Sequence, residues 1–214
     1  EVKLILNHTF GTGGPMTNVT NTLWCEYIFL DTDERRRFAQ VSHEYLIEQV
    51  QEQKLNTADS TTLVFNHPVK ELFWTCDDIW VSNGNLDSVV NSGGDVNYLL
   101  RLNGLDRFSE RDSLYFTKRQ VWKYHSGVSG LKYDWNGHDT TPHDGKINMS
   151  IGVYSFALKP EEHQPSGTCN FSRIDKAEFI PSGVTGNNNA NRIFAINYNV
   201  LRIISGMGGL AYVN

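Results

Sequence analysis

Apolar residues recur at every second position in several short runs of this chain, and turn-forming residues separate the runs. In the first run, Val2, Leu4 and Leu6 follow this spacing, which is typical of a half-buried β-strand. The run at residues 23–30 is dense in β-branched and aromatic residues and predicts a strand buried on both faces. Together the runs predict strands at residues 2–10, 23–30, 43–53, 61–65, 71–81, 96–102, 147–158, 169–180 and 192–205.

Helical signals are few, and glycine, proline and asparagine mark most connections. Asp31 followed by Glu34 is the pattern of a helix N-cap, and it predicts a short helix through Phe38. Residues 106–124 mix charges with five aromatic residues and predict a short helix or turn. Exposed loops or turns are predicted where small and polar residues cluster, at residues 82–95, 126–146 and 183–191.

Eight to ten short strands, with little helix and no alternation of strand and helix, predict an all-β sandwich or barrel. The 214 residues suit one large domain of this class, and we predict a single domain over residues 1–214. Large side chains within the apolar runs are predicted to pack between the two sheets. They are Phe29, Phe73, Phe156 and Ile196, together with Trp24 and Trp74.

The charge of the chain excludes one broad class of function. The formal net charge is −5, so the chain as a whole is not a nucleic-acid binder, because such proteins neutralise phosphates with a positive surface. The run Arg35, Arg36, Arg37 is too short to change this and is interpreted as a solvated helix end. No run of about 18 apolar residues is present, so no membrane span is predicted.

The three cysteines are odd in number and fit no zinc-binding spacing. We interpret Cys25, Cys76 and Cys169 as free, buried or half-buried thiols of a reducing compartment.

The richest set of possible metal ligands is the loop that holds His138, His143 and Asp144. A metal site needs three or four rigidly held ligands, and this Gly- and Pro-rich loop offers no strand or helix to hold them. We interpret the loop as solvated and predict no metal and no cofactor. Residues 43–47 begin like a zinc-protease motif but lack its second histidine.

Glu161, Glu162 and His163 could pass for a catalytic cluster. Such side chains in a turn also bond backbone groups that leave the strand ladder, and we predict this structural role. Cys169 has no evident base beside it. No catalytic residue is therefore assigned, and the chain is predicted not to be an enzyme.

Three separated strings carry a family resemblance: LWCEYIFLDTDERRRFAQVSHEYLIEQVQ at residues 23–51, YSFALKPEEHQPSGTCNFSRID at residues 154–175 and RIFAINYNVLRIISGMGGLAY at residues 192–212. In the same order, they resemble parts of the major capsid proteins of nucleocytoplasmic large DNA viruses. The resemblance also favours a strand over residues 43–53, where Leu46 and Val50 alone would suit a helix.

The resemblance implies an eight-stranded antiparallel jelly roll with short helices in its loops, the second of two in a longer protein from which this chain would be excised or processed. It implies a structural protein of the virion, in which homotrimers of pseudo-hexagonal outline tile an icosahedral capsid. Neighbouring capsomers and minor capsid proteins would be the partners, with an internal membrane nearby and no direct contact with nucleic acid. Assembly would take place inside the host cell, for which we predict the cytoplasm.

Two alternatives stay open at this stage. A carbohydrate-binding jelly roll would use exposed tryptophans, and Trp135 in the loop at residues 126–146 is the best candidate. The second alternative concerns residues 106–124. Subunits of a shell protein associate through lateral contacts, and this segment, with Tyr115 and Trp122, is the candidate contact surface. The aromatic residues of this segment would otherwise cap one end of the core.

Overall fold

Two antiparallel sheets face each other in the computed structural model, which describes residues 22–56, 59–75, 96–126, 151–183, 191–205 and 207–213. In chain order the strands are β1 (His43–Lys54), β2 (Thr61–Leu63), β3 (Pro68–Thr75), β4 (Asn97–Leu102), β5 (Leu105–Asp106), β6 (Arg111–Asp112), β7 (Ile151–Ser155), β8 (Cys169–Asn170), β9 (Ala177–Ser182), β10 (Arg192–Ile204) and β11 (Met207–Leu210).

The first sheet has the order β1-β10-β3-β7, and the second has the order β2-β9-β4-β5. The two antiparallel sheets confirm the predicted jelly-roll sandwich, and the two paths hold eight of the eleven strands in the described residues. Three short strands lie off the paths: β8 pairs with β3, β11 pairs with β10, and β6 pairs with β4. The terminal glycine-rich run is thus part of a hairpin, since β11 folds back on the end of β10.

The core lies between the sheets and is rich in aromatic rings. β3 contributes Leu72 and Trp74, β10 contributes Ile193, and the second sheet contributes Tyr98 and Phe179, all of which are fully buried. Trp74 contacts three rings, with centroid distances of 5.1 Å to Tyr98, 5.2 Å to Phe116 and 4.9 Å to Phe179. Trp74 is therefore a core residue, as predicted.

The predicted core residues have mixed outcomes. Phe156 is partly buried and packs against the core cluster, as predicted. Phe73 and Ile196 are only half-buried, because they face away from the second sheet. Side chains alternate along a strand, so the inward positions of Leu72 and Trp74 direct Phe73 outward.

The strand predicted at residues 23–30 is wrong. This segment has no regular secondary structure, and its side chains are mostly exposed. Trp24 is 90% exposed and Phe29 is 89% exposed, so neither belongs to the core of this sandwich. The apolar residues of the segment have no cover within the part of the chain that the structure describes.

The helical predictions are confirmed. Asp31 begins helix α1 (Thr32–Gln40) and accepts a 2.8 Å hydrogen bond from the amide of Glu34, whose side chain accepts in return from the Asp31 amide. A π-helical segment (Tyr115–Arg119) continues into α2 (Gln120–Tyr124) within the stretch 106–124. Other predicted elements lie outside the described residues, namely the strand at 2–10, the loop at 82–95 and the greater parts of the loop at 126–146 and the turn at 183–191.

Two glutamines of β1 join the sheets at one edge of the sandwich. The Gln51 amide donates to the carbonyl of Asn66 at 2.7 Å, and the Asn66 amide donates back to Gln51 Oε1 at 3.0 Å. Gln53 forms the same kind of pair, donating to Thr62 O at 2.6 Å and accepting from Val64 N at 2.9 Å. These side chains satisfy backbone groups as a neighbouring strand would.

Candidate assembly surface

The turn formed by residues 158–167 holds the cluster that could have been catalytic, and its side chains have structural roles. Glu161 accepts hydrogen bonds from the backbone amide of Ser126 at 2.8 Å and from its hydroxyl at 2.6 Å. Glu162 forms an exposed ion pair with Lys159 at 2.9 Å. His163 is exposed. Glu161 therefore bonds a backbone amide, which agrees with the predicted role, whereas the contact of Glu162 is with the side chain of Lys159.

Lys70 of β3 attaches this turn to the first sheet through its side chain. Its Nζ donates to the carbonyl of Pro160 at 2.7 Å and to Glu48 Oε1 at 2.8 Å. The Lys70 side chain is almost fully buried, so both bonds offset a desolvated charge. The Lys70 carbonyl also accepts from the amides of Phe156 and Ala157, at 2.8 and 3.2 Å.

His125 attaches the same turn to the end of α2. Its Nδ1 lies 3.4 Å from Glu161 Oε1, and its Nε2 lies 3.2 Å from Glu71 Oε2. The contact with Glu71 is the main cause that raises the pKa of His125 above its ordinary value, against the opposing effect of burial. The hydrogen bonds from Ser126 are the main cause that lowers the pKa of Glu161. Sequence reasoning missed this arrangement, because its members come from three distant segments.

Within the part of the chain that the structure describes, the candidate metal and thiol positions form no site. Among the described residues, no group of three or more histidine, cysteine, aspartate or glutamate side chains is arranged to hold a metal. The predicted solvated loop with His138, His143 and Asp144 lies outside those residues. Cys169 is half-buried, and burial raises its pKa. Cys25 is exposed, which corrects the prediction that it is at least half-buried.

The segment from the π-helical turn through α2 has an inner and an outer side. Phe116 faces inward and is fully buried against Trp74. Trp122 faces outward and is 84% exposed. Tyr115 is half-buried, and the Arg111 guanidinium lies 4.6 Å from its ring centre. The interpretation as a cap of the core therefore applies to Phe116, which is buried, and the interpretation as a contact surface applies to Trp122, which is exposed.

Positive charge surrounds Trp122 on this outer side. Lys118, Arg119 and Lys123 lie on the same helical segment, and among the described residues no ion pair with a carboxylate is found for them. Arg119 and Lys123 instead lie near aromatic rings, at 6.0 Å from Tyr115 and 4.9 Å from Tyr124. We call the surface of Lys118, Arg119, Trp122 and Lys123 the Trp122 patch.

A second open apolar surface is the extended segment before α1. Leu23, Trp24, Tyr27, Ile28 and Phe29 are each at least 70% exposed. Apolar side chains on both sides of one extended segment are typical of a strand buried between two layers. Large contiguous apolar surfaces on a folded chain mark places of contact with other proteins. No helix in the described residues is long and apolar enough to cross a membrane.

Comparison with known proteins identifies one family. The family model of the large eukaryotic DNA virus major capsid protein matches residues 34–209. The major capsid protein of Pyramimonas orientalis virus is 49% identical over 231 residues, which cover 100% of this chain and 55% of that protein. The major capsid protein of Paramecium bursaria Chlorella virus 1 is 37% identical, over 91% of this chain and 54% of that protein.

The fold agrees with this assignment. A quasi-atomic model of the PBCV-1 virus capsid aligns with a TM-score of 0.65 and 36% sequence identity, over 88% of this chain and 56% of that chain. The chain therefore spans about half the length of the relatives it matches.

Proposed function

Because this chain belongs to the large eukaryotic DNA virus major capsid protein family, we propose that it is a jelly-roll building block of a viral capsid. It acts by association with other subunits rather than by catalysis. In the virion it belongs to a homotrimer, which contacts neighbouring capsomers and minor capsid proteins. Assembly takes place in the cytoplasm of the host cell, near an internal membrane and without direct contact with nucleic acid.

One observation carries this proposal: among the described residues, large apolar side chains remain exposed outside a continuous buried core. Trp122 and the segment 23–29 are exposed, while sixteen buried side chains form one continuous core between the sheets. Permanent assemblies bury about 2,000 Å² or more in total, and aromatic residues with arginine are enriched at the centres of such contacts. The Trp122 patch contains one residue of each kind, Trp122 and Arg119, beside two lysines, which are less common at such centres.

We also propose that residues 1–214 form one jelly-roll domain, the second of two in the longer protein. The strands that the structure describes fall between His43 and Leu210, and the family model covers nearly the same range. The relatives have room for a further domain of similar size, since the chain matches only 55% of the Pyramimonas orientalis virus protein. Limited proteolysis of the longer protein that contains this chain tests the domain boundary. We expect a stable fragment that corresponds to residues 1–214.

Sedimentation analysis of the longer protein tests the assembly role. We expect a trimer, and we expect Trp122→Glu to weaken it because the substitution places a carboxylate at the centre of the contact. The matched control is Val64→Glu, which changes an equally open apolar side chain away from the patch. A monomeric parent protein would contradict the proposed trimer. A trimer that resists Trp122→Glu would remove the Trp122 patch from its interface.

A carbohydrate-binding role is the second candidate, and one observation favours it: the open ring of Trp122 could stack on a sugar. Trp135, the residue first considered for this role, lies outside the described residues. Binding to a glycan array by the parent chain, lost in Trp122→Ala, would support this alternative. Absence of binding together with trimer formation would favour the capsid role.

A further inference from the structure

His125 is placed so that both of its ring nitrogens face carboxylates. Nε2 lies 3.2 Å from Glu71 on β3, and Nδ1 lies 3.4 Å from Glu161 on the turn. Its side chain is 16% exposed, and that of Glu71 is 5% exposed. The ring also packs on Phe73, with centroids 5.9 Å apart. The histidine thus joins three separate elements at one point.

The chemistry of imidazole determines which charge state this geometry requires. A neutral imidazole carries one N–H and one lone pair, whereas the imidazolium ion carries two N–H donors. Only the charged form can donate toward both carboxylates. His125 Nε2 and Glu71 Oε2 are buried 3.2 Å apart as an ion-pair contact, and neither atom makes a hydrogen bond of good geometry among the described residues. Loss of the proton from Nε2 therefore leaves a buried carboxylate facing a lone pair.

The other charged groups nearby are engaged elsewhere. Lys70, next to Glu71 in β3, bonds Glu48 and the carbonyl of Pro160. Lys123, on the same helix as His125, lies over the ring of Tyr124. Glu71 and Glu161 are therefore the charged groups that act on His125, and both favour its charged form.

We propose that His125 is a proton-dependent latch that holds the C-terminal end of α2 against β3 and against the turn at residues 158–167. The latch is closed when His125 is protonated and Glu161 is ionised. The pKa of His125 is raised, so its contribution is complete below the unfolded value of about 6.5 and is lost as pH rises through the folded value. The pKa of Glu161 is lowered, so the Glu161 contacts fail only as pH falls through that lowered value.

The latch controls the position of the Trp122 patch. Trp122 lies three residues before His125 on the same helical segment. Release of the helix end therefore leaves the patch less firmly oriented at alkaline pH. This last consequence rests on the proposed assembly role, whereas the latch itself is a property of the single chain and is tested on it.

Two measurements on the 214-residue chain test the latch. The first is an NMR titration of the histidine side chains, with His125 assigned from the His125→Gln variant. We expect His125 to titrate above about 6.5. The second is amide hydrogen exchange at pH 6 and pH 9, corrected for intrinsic rates. We expect protection in α2, including the amide of His125 that donates to Val121 O at 2.9 Å, to fall at least tenfold relative to β4 and β9.

Three variants separate the latch from general effects on stability. His125→Gln should show weak α2 protection at both pH values. Glu161→Gln removes one carboxylate, and it should lower the pKa of His125 and move the loosening of α2 to lower pH. His163→Gln is the matched control, because His163 is an exposed histidine of the same turn, and it should behave as the parent chain. An ordinary or lowered pKa for His125, or equal α2 protection in the parent and in His125→Gln, would overturn the proposal.

Discussion

Gly152 is the position where one added carbon should do most harm to the core. It lies opposite Trp74 in the pairing of β7 with β3. A Cβ at residue 152 would come within 3 Å of three indole atoms, Cε2, Nε1 and Cζ2. Real side chains do not tolerate such a contact, so either the indole or the strand must move. The substitution Gly152→Ala therefore tests how rigidly Trp74 is held.

The indole has little room to retreat. It is fully buried, and the rings of Tyr98, Phe116 and Phe179 surround it with centroids 4.9 to 5.2 Å away. Overpacking in a dense core costs about 1–3 kcal/mol, and we expect the upper end here. Replacing glycine by alanine within a strand returns about 0.5–1 kcal/mol of backbone entropy. The net loss of unfolding free energy should be about 2 kcal/mol.

Chemical denaturation followed by far-UV circular dichroism measures this loss. For a chain of this size, 2 kcal/mol corresponds to a fall in Tm of about 4–8 °C. Gly209→Ala is the matched control, because a Cβ at Gly209 in β11 meets nothing within 4 Å. The control should be neutral or slightly stabilising. If Gly152→Ala and Gly209→Ala have the same stability, the indole is not confined as described.

A double-mutant cycle identifies the cause. Trp74→Leu removes all three indole atoms that the new Cβ would meet. In that background, Gly152→Ala should cost much less than in the parent, with a coupling energy on the order of 2 kcal/mol between the positions. Additive costs would mean that the harm of Gly152→Ala arises from the backbone and not from the contact with Trp74.

Three further predictions concern the sandwich and its thiols. Gln51→Met should lower the unfolding free energy by about 1–3 kcal/mol, because the amide and carbonyl of Asn66 lose their partner, and the Asn66 amide should lose protection from hydrogen exchange. The control Glu52→Ala removes an exposed ion pair and should cost less than about 1 kcal/mol. Equal costs for the two variants would contradict the reasoning. Phe156→Ala should lower the unfolding free energy by about 3 kcal/mol, whereas Phe29→Ala should change it by less than about 0.5 kcal/mol. A melting curve for Phe156→Ala that matches the parent would place that ring on the surface. Thiol titration of the denatured, unreduced chain should detect all three cysteines, and detection of only one would reveal a disulfide.

Much of the sandwich could be predicted from local patterns. The run at residues 192–205 became β10, because strand-like composition and flanking turns are local properties. The ambiguous run at residues 43–53 became β1, and its prediction needed the family resemblance as well as the flanking turns. The face that each side chain takes was harder. In a run such as LFW, at residues 72–74, all three side chains are apolar, and only the opposing sheet decides that Leu72 and Trp74 point inward.

The cluster around His125 could not be predicted because its parts are distant in sequence. Glu71, His125 and Glu161 are 54 and 36 residues apart, and no local spacing links them. The polar turn EEH at residues 161–163 was the local hint of this charged cluster. Its own histidine, His163, is solvent-exposed, and the histidine that contacts Glu161 is His125. Tertiary structure brings these charges together, and burial of Glu71 gives their interaction its strength.

The failed strand at residues 23–30 and the proposed function have one physical origin. The apolar composition of this segment predicts burial on both faces, yet the described sandwich is already closed by β1, β10, β3 and β7 on one side and by the second sheet on the other. An apolar sequence pattern predicts that a segment is buried, but it does not predict which molecule buries it. Trp24 and Phe29 are exposed against the described residues, and fully burying a large apolar side chain is worth about 1.5–3 kcal/mol. In the proposed assembly, the same side chains would supply free energy for association. The error in predicting this strand is therefore an observation that supports that proposal.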